Sequence, residues 1–327
     1  MRRREFIALL GGGVAGWPLA ARGQQQAMPV VGFLSTALAG PSAHLVAGFR
    51  RGLQEAGFVE GRNAAVEYRW AGGQYERLPA LAADLVRHQV AVIVTVGGES
   101  SAAAAKAATA TIPIVFNAGS DPVKLGLVAS LARPGGNATG VNIFTTELVE
   151  KRLSLLRDLV PAVTSVAVLL NPNFASAVVN ARESEAAART IGRTVTIFNA
   201  SSDAEIETAF AKIVQARSGA LLVSADPFFT SRRGLIVALA SRHAIPAIYE
   251  WREFAEAGGL ISYGTNLVEG YRQQGIYAGR ILKGEKPSDL PVVQLSKFEL
   301  VINLNAARGL GLVIPSGVLA IADDVIE

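Results

Sequence analysis

Cysteine is absent from the 327-residue chain. Its absence excludes disulfides, thiolate metal sites and a lipid-modified N-terminal Cys, so stability must come from buried cores. Histidine is nearly as scarce: His44, His88 and His243 each fall within an amphipathic helical pattern. No H-x-x-x-H or H-E-x-x-H spacing occurs, which argues against a zinc site. Basic blocks interleaved with aromatics are also missing. The formal charge of +4 is a property of the first 23 residues: removing Arg2, Arg3, Arg4, Arg22 and Glu5 from 31 basic and 27 acidic residues leaves about +1. A nucleic-acid surface is not indicated. Beyond those residues no hydrophobic run reaches the roughly 20 residues of a membrane span, although 50% of the chain is hydrophobic.

What is present begins with residues 1–23, which read as an export signal. Three arginines precede a short apolar run, and a cleavage point follows Ala21-Arg22-Gly23. Arg3-Arg4 with Phe6 and Ile7 behind fits the twin-arginine type, and general secretion stays open. The alternative is a short membrane anchor, which Gly11, Gly12, Gly13, Gly16 and Pro18 weaken as a helix. The destination is periplasmic, with the signal cleaved. Gly11 to Gly16 also holds the one G-x-G-x-x-G match of the chain; with no strand before it, it does not mark a dinucleotide site.

Along the body, short apolar runs alternate with helical patterns. Strands are expected at Pro29–Leu34, Ala64–Trp70, Ala91–Val96 and Ile112–Phe116, with helices from about Ser42, at Leu78–Arg87 and from about Ser100. The series repeats roughly 130 residues later, with strands at Ser165–Leu170, Thr194–Phe198, Gly219–Val223 and Ala247–Tyr249. Helices at Ser176–Ile191, Asp203–Ala216 and Ser231–His243 lie between them. A strand over Gly258–Tyr263, a helix over Leu267–Leu282 and a last strand over Phe298–Leu304 follow. This is an α/β chain with two doubly wound parallel sheets. Ligands of such sheets bind outside the carboxyl ends of strands, and two facing lobes would close on a small solute.

The loops at those ends are rich in neutral hydrogen-bonding groups. Ser35, Thr36, Gly98, Ser100, Ser101, Asn117 and Asn171 are candidate ligand-binding residues, with Asp121 and Asp226 as acids and Phe228, Tyr249 and Tyr263 as aromatic faces. The plainer alternative for Asp121-Pro122 and Asp226-Pro227 is a turn or helix cap. The backbone at Gly97-Gly98, leading into a helix, offers donors to a carboxylate. No catalytic constellation, cofactor motif or metal site is found: Gly98-Glu99-Ser100-Ser101-Ala102 lacks the last Gly of a nucleophile elbow, and no histidine is placed to serve it. A hydrolase or lyase using Asp121 and Asp226 remains the enzymatic alternative, and a ligand-reading partner of a sensor kinase a third.

Several longer blocks resemble a known family. Phe116–Val128 (FNAGSDPVKLGLV), Ser130–Val141 (SLARPGGNATGV), Pro246–Phe254, Gly258–Gly264, Lys297–Asn305 and the closing Ala322–Glu327 are similar to ABC transporter substrate-binding proteins of the tryptophan/tyrosine type. The resemblance spans essentially the whole chain. It implies a type I periplasmic binding fold, with lobe 1 at residues 24–142 and 264–295 and lobe 2 at 143–263 and 296–327. Three hinge crossings are implied near Val141–Phe144, Tyr263–Asn266 and Val292–Lys297. It further implies a monomer that binds a small solute, an aromatic amino acid or related compound, and passes it to a membrane permease with its ATPase. Members that bind aromatic amino acids use strand-end Ser, Thr and Asn groups plus an acid from the opposite lobe; Ser35, Thr36, Ser100, Asn117, Asn171 and Asp226 occupy comparable loops. Where several members carry Thr-Pro, this chain has Glu99-Ser100, an acid where a ligand carboxylate is expected.

Overall fold

Runs of Val, Ile and Leu too short for helices are driven into strands, and the amphipathic stretches between them cover both sheet faces. The computed structural model describes residues 28–327, so the expected export signal at residues 1–23 lies outside the described residues. The first half runs β1 (Val30–Ser35), α1 (Ala43–Glu55), β2 (Ala65–Trp70), α2 (Leu78–Arg87), β3 (Val92–Val96), α3 (Glu99–Ala108), β4 (Ile114–Ala118) and β5 (Ala138–Asn142). The second runs α4 (Val149–Leu159), β6 (Ser165–Leu170), α5 (Ala177–Thr190), β7 (Thr194–Asn199), α6 (Asp203–Gln215), β8 (Ala220–Val223), α7 (Pro227–Ser231), α8 (Arg233–Arg242), β9 (Ala247–Tyr249), α9 (Arg252–Glu256) and β10 (Ile261–Thr265). Then come α10 (Leu267–Leu282), β11 (Val293–Gln294), β12 (Phe298–Asn303), α11 (Leu304–Gly309), α12 (Ser316–Leu319) and β13 (Asp324–Ile326).

The two sheets share one plan. The first is ordered β11-β5-β4-β3-β1-β2 and the second β13-β12-β10-β9-β8-β6-β7. Parallel pairing joins the strands of both, except that β12 runs antiparallel to β10. The exception follows from the connections. Helix α10 carries the chain away from the crossing, so β11 returns toward it parallel to β5, whereas β12 enters its sheet from the crossing itself.

Three local expectations are corrected. Ser231–His243 is not one helix, because Asp226 and Pro227 start a helix four residues earlier and the chain restarts at Arg233. Phe228 and Phe229 are therefore helical rather than in a loop. Gly258 and Gly259 close α9 through N–H bonds to Ala255 and Phe254, so β10 begins only at Ile261. Gly264 and Thr265 pair with Glu299 and Phe298 in the second sheet, and so sit with lobe 2 rather than opening the 264–295 part of lobe 1.

Helix α10 belongs to the first lobe although it follows the second in sequence. It lies along α1 at backbone contact: a Cβ on Gly52 would strike the Arg272 carbonyl, and one on Gly275 the Phe49 carbonyl. Its buried Gln274 reaches under the sheet, donating from Nε2 to the Thr95 carbonyl at 2.8 Å.

The crossings lie side by side. Thr265 donates from Oγ1 to the Ile143 carbonyl (3.2 Å), and the Leu295 N–H to the Asn142 carbonyl (3.1 Å). Beneath them Arg152 of α4, 1% exposed, donates from Nε to the Tyr263 carbonyl (2.8 Å) and from Nη1 to the Thr145 carbonyl (2.9 Å). One guanidinium thus pins two crossings.

A cavity between the lobes and its family

The carboxyl ends of both sheets face a small cavity lined by residues of both lobes. Lobe 1 lines it with Ala37, Pro41, Ser42 and Leu45 after β1, with Gly97, Gly98 and Glu99 after β3, and with Asn117 and Gly119 at the end of β4. Leu267 and Tyr271 come from α10, and Ile143 and Thr145 from the first crossing. Lobe 2 contributes Phe174 after β6, Ala225, Asp226, Pro227, Thr230, Ser231 and Arg233 after β8, and Trp251 after β9. The wall is mostly apolar and aromatic, with a few fixed polar groups, the usual make-up of a small-molecule site.

Each polar group is held by the local fold. Asp226 caps α7: its Oδ1 accepts from the N–H groups of Phe228 (2.7 Å) and Phe229 (3.2 Å). Its Oδ2 accepts from the Tyr75 hydroxyl of lobe 1 at 2.8 Å. Burial pushes the Asp226 carboxyl up to about 6, against the pull of those hydrogen bonds, and raises Tyr75 well above the ordinary phenol range. Asn117 accepts the Gly98 N–H on Oδ1 at 2.9 Å. Glu99, 3% exposed, accepts the N–H groups of Gly119 (2.9 Å) and Ser120 (2.8 Å) on Oε1.

The lobes touch around the cavity. Besides Tyr75 and Asp226, Ser100 Oγ accepts the Ala175 N–H at 3.2 Å, and the Ser120 hydroxyl donates to Ser176 Oγ at 3.2 Å. The Phe174 ring lies over Gly98, where a Cβ would come within 2.8 Å of it, and its centroid is 5.9 Å from that of Tyr75. Gly97 and Gly98 have φ of +81° and +84°, a region that disfavours side chains, so the lobe 1 wall here is bare backbone.

Of the candidate residues, Gly98, Asn117 and Asp226 line the cavity. The others are held behind or away from it. Ser35 accepts the Ala37 N–H, and Thr36 donates to the Gly97 carbonyl, each bracing a strand-end loop. Ser101 is buried and donates to the Val96 and Gly98 carbonyls, while Ser100 spans the lobes. Asn171 caps its own turn at Asn173, and lies beside the Asp226 carboxyl. Asp121 caps the turn at Val123 (2.8 Å), so it forms no carboxylate pair across the cavity with Asp226. Phe228 packs against Gly73 with the Arg232 guanidinium 4.5 Å over its ring. Tyr249 is buried in the lobe 2 core, stacked on Phe254 at 4.6 Å. Tyr263 stands at the hinge against Phe298, 6.1 Å away. Sequence reasoning passed over Phe174, Tyr271, Tyr75 and Arg233. Phe174 follows a strand end and was open to the same rule that found Asn171; Tyr271 and Tyr75 sit on helical segments and carry no such signal.

Among the described residues no group of His, Cys, Asp and Glu is placed to hold a metal ion, and no helix is long and apolar enough to cross a membrane.

Comparison with known proteins agrees with this architecture. The chain is 26% identical over 263 residues to the "Tyrosine-binding protein" of Clostridioides difficile (strain R20291), covering 80% of this chain and 75% of that one. A conserved domain protein from Vibrio cholerae O1 biovar El Tor superposes with a TM-score of 0.84 at 29% identity, covering 91% of this chain and 99% of that one. The ABC domain of Streptococcus pneumoniae in complex with L-Trp superposes with a TM-score of 0.82 at 26% identity over the same shares. The shared architecture is the two-lobed type I periplasmic binding fold, and the family consists of solute-binding proteins rather than enzymes. Its model, ABC transporter substrate binding protein, matches residues 34–326, which take in both lobes and every crossing; the chain belongs to that family.

Proposed function

We propose that this protein is the exported receptor of an ABC importer, closing its lobes around one small solute with an aromatic or apolar body. The observation that carries the reading is the cavity at facing strand ends, apolar on both walls and fixed by Asp226, Asn117 and Glu99. Gly98 and Asn117 form its floor on one side, and Phe174, Trp251 and Asp226 its face on the other. The tyrosine and L-Trp named for the relatives support an aromatic solute. The loaded, closed monomer would dock on a membrane permease in the periplasm, and a cytoplasmic ATPase would drive release. The three side-by-side crossings suit such closure, since a few residues absorb the rotation while each sheet moves as a body.

Titration of the purified chain with aromatic solutes tests this. A one-site isotherm is expected, with stabilisation of about 2.7 kcal/mol at a hundredfold excess over Kd. Chemical turnover of the bound solute, or no stabilisation by any aromatic compound, would overturn it.

A further inference from the structure

A carboxylate at the first turn of a helix beside a solute cavity ordinarily competes with an anionic ligand for the same donors. Glu99 is such a group, at the start of α3 and on the cavity wall. Its Oε1 already holds the N–H groups of Gly119 and Ser120, the two residues that follow β4. Its Oε2 is buried and has no hydrogen-bond partner among the described residues. A buried carboxylate oxygen without a donor is costly, and a charged donor is its strongest remedy.

We infer that the solute carries a protonated amine and no carboxylate, with the ammonium donating to Glu99 Oε2; the inference rests on reading the cavity as a solute site. The other backbone donors around the cavity point the same way. The Gly98 N–H is taken by Asn117, and those of Phe228 and Phe229 by Asp226. The free first-turn N–H groups of α3 belong to Glu99 and the residues next to it, where an incoming carboxylate would meet a like charge. Both Asp226 oxygens are in use, one by the α7 cap and one by Tyr75, which leaves Glu99 Oε2 as the open anionic acceptor. Against these two acids stands Arg233, half-buried on the lobe 2 wall and donating to the Thr230 carbonyl at 3.1 Å. The Gly98 N–H, which the sequence expectation offered to a ligand carboxylate, is therefore already taken by the Asn117 side-chain amide. The orientation that remains turns the solute's aromatic body toward Phe174 and Trp251 and its amine toward Glu99.

Calorimetric titration with tryptamine, tyramine, L-tryptophan and L-tyrosine separates the possibilities. Each amine should bind at least about tenfold tighter than its amino acid, and Glu99→Gln should cost the amines at least that factor. Gln keeps the acceptor for Gly119 and Ser120, so thermal stability of the unliganded variant should hold. Amino acids binding as tightly as the amines, or amine affinity untouched by Glu99→Gln, would overturn the inference and leave the receptor reading standing. Failure of all four compounds to bind would remove the aromatic-solute reading as well. Should the variant not fold, the ranking of the four compounds on the native chain decides alone.

Discussion

Lobe 1 and lobe 2 share a strand plan but differ in how they hold polarity. The polar anchor beneath the lobe 1 sheet is neutral: Gln274, bonded to the Thr95 carbonyl. Its counterpart region in lobe 2 holds charge, with Arg152 and Glu250 both fully enclosed. Burial pushes the Glu250 carboxyl up to about 8 despite the opposing pull of Arg152, and lowers the Arg152 guanidinium to about 10. The cavity walls differ too. Lobe 1 sets bare glycine backbone at Gly97 and Gly98 beside Leu45, Leu267 and Tyr271, whereas lobe 2 presents Phe174 and Trp251. One topology thus carries a neutral buried anchor in one half and a titratable buried pair in the other.

The largest test of that contrast is Arg152→Leu. It strands the Thr145 and Tyr263 carbonyls and removes the charge facing Glu250, so chemical denaturation should show a loss of about 3–5 kcal/mol. A loss no greater than that of Gln274→Leu would erase the distinction between the lobes. Next is the pH dependence. The folded Glu250 carboxyl titrates near 8, above its ordinary value of 4.5, so between these values the folded state binds more protons than the unfolded one. Its contribution to stability therefore falls as pH rises through that window. Glu250→Gln should flatten the fall and be more stable than the wild type by about 2 kcal/mol at pH 8. Parallel stability curves for the two proteins from pH 5 to 8 would contradict the assignment.

Smaller effects belong to the walls. Gly98→Ala puts a side chain at φ +84° and against the Phe174 ring, at a cost of about 1–3 kcal/mol. Because Phe174 belongs to the other lobe, the larger part should appear as weaker solute binding rather than lower Tm. Equal losses in both would show that the glycine serves only its own loop. Tyr75→Phe deletes one hydroxyl bond between the lobes, and binding should weaken by about 1 kcal/mol with Tm nearly unchanged.

Much of the fold was legible because its signals are local. Leu78–Arg87, Ser165–Leu170, Ala247–Tyr249 and Leu267–Leu282 were found to the residue, each a clear period or an unbroken apolar run. Strand β5 was not, since Ala138-Thr139-Gly140-Val141-Asn142 is small and mixed; Gly140 must be bare to lie against the Phe116 backbone. The site was legible in part. Asp226-Pro227 announces a helix start, and Asn117 and Gly98 end apolar strands. The clasp of Glu99 on Gly119 and Ser120 was hidden, because it joins loops 20 residues apart through a contact that no spacing rule encodes.

The placement of α10 bears on how the chain is assembled. The face of α1 that carries Phe49 and Leu53 packs on Phe33 of β1 and is completed by residues 267–282, which emerge after all five parallel strands of lobe 2. Lobe 1 cannot finish until nearly the whole polypeptide is made, and its completing contacts span more than 200 positions along the chain. Lobe 2, by contrast, has most of its sheet in one continuous stretch. A fragment ending near Ile143 should therefore stay loosely ordered and prone to associate, whereas a circular permutant that begins at Asn266 would place α10 ahead of α1 and speed the maturation of the first lobe.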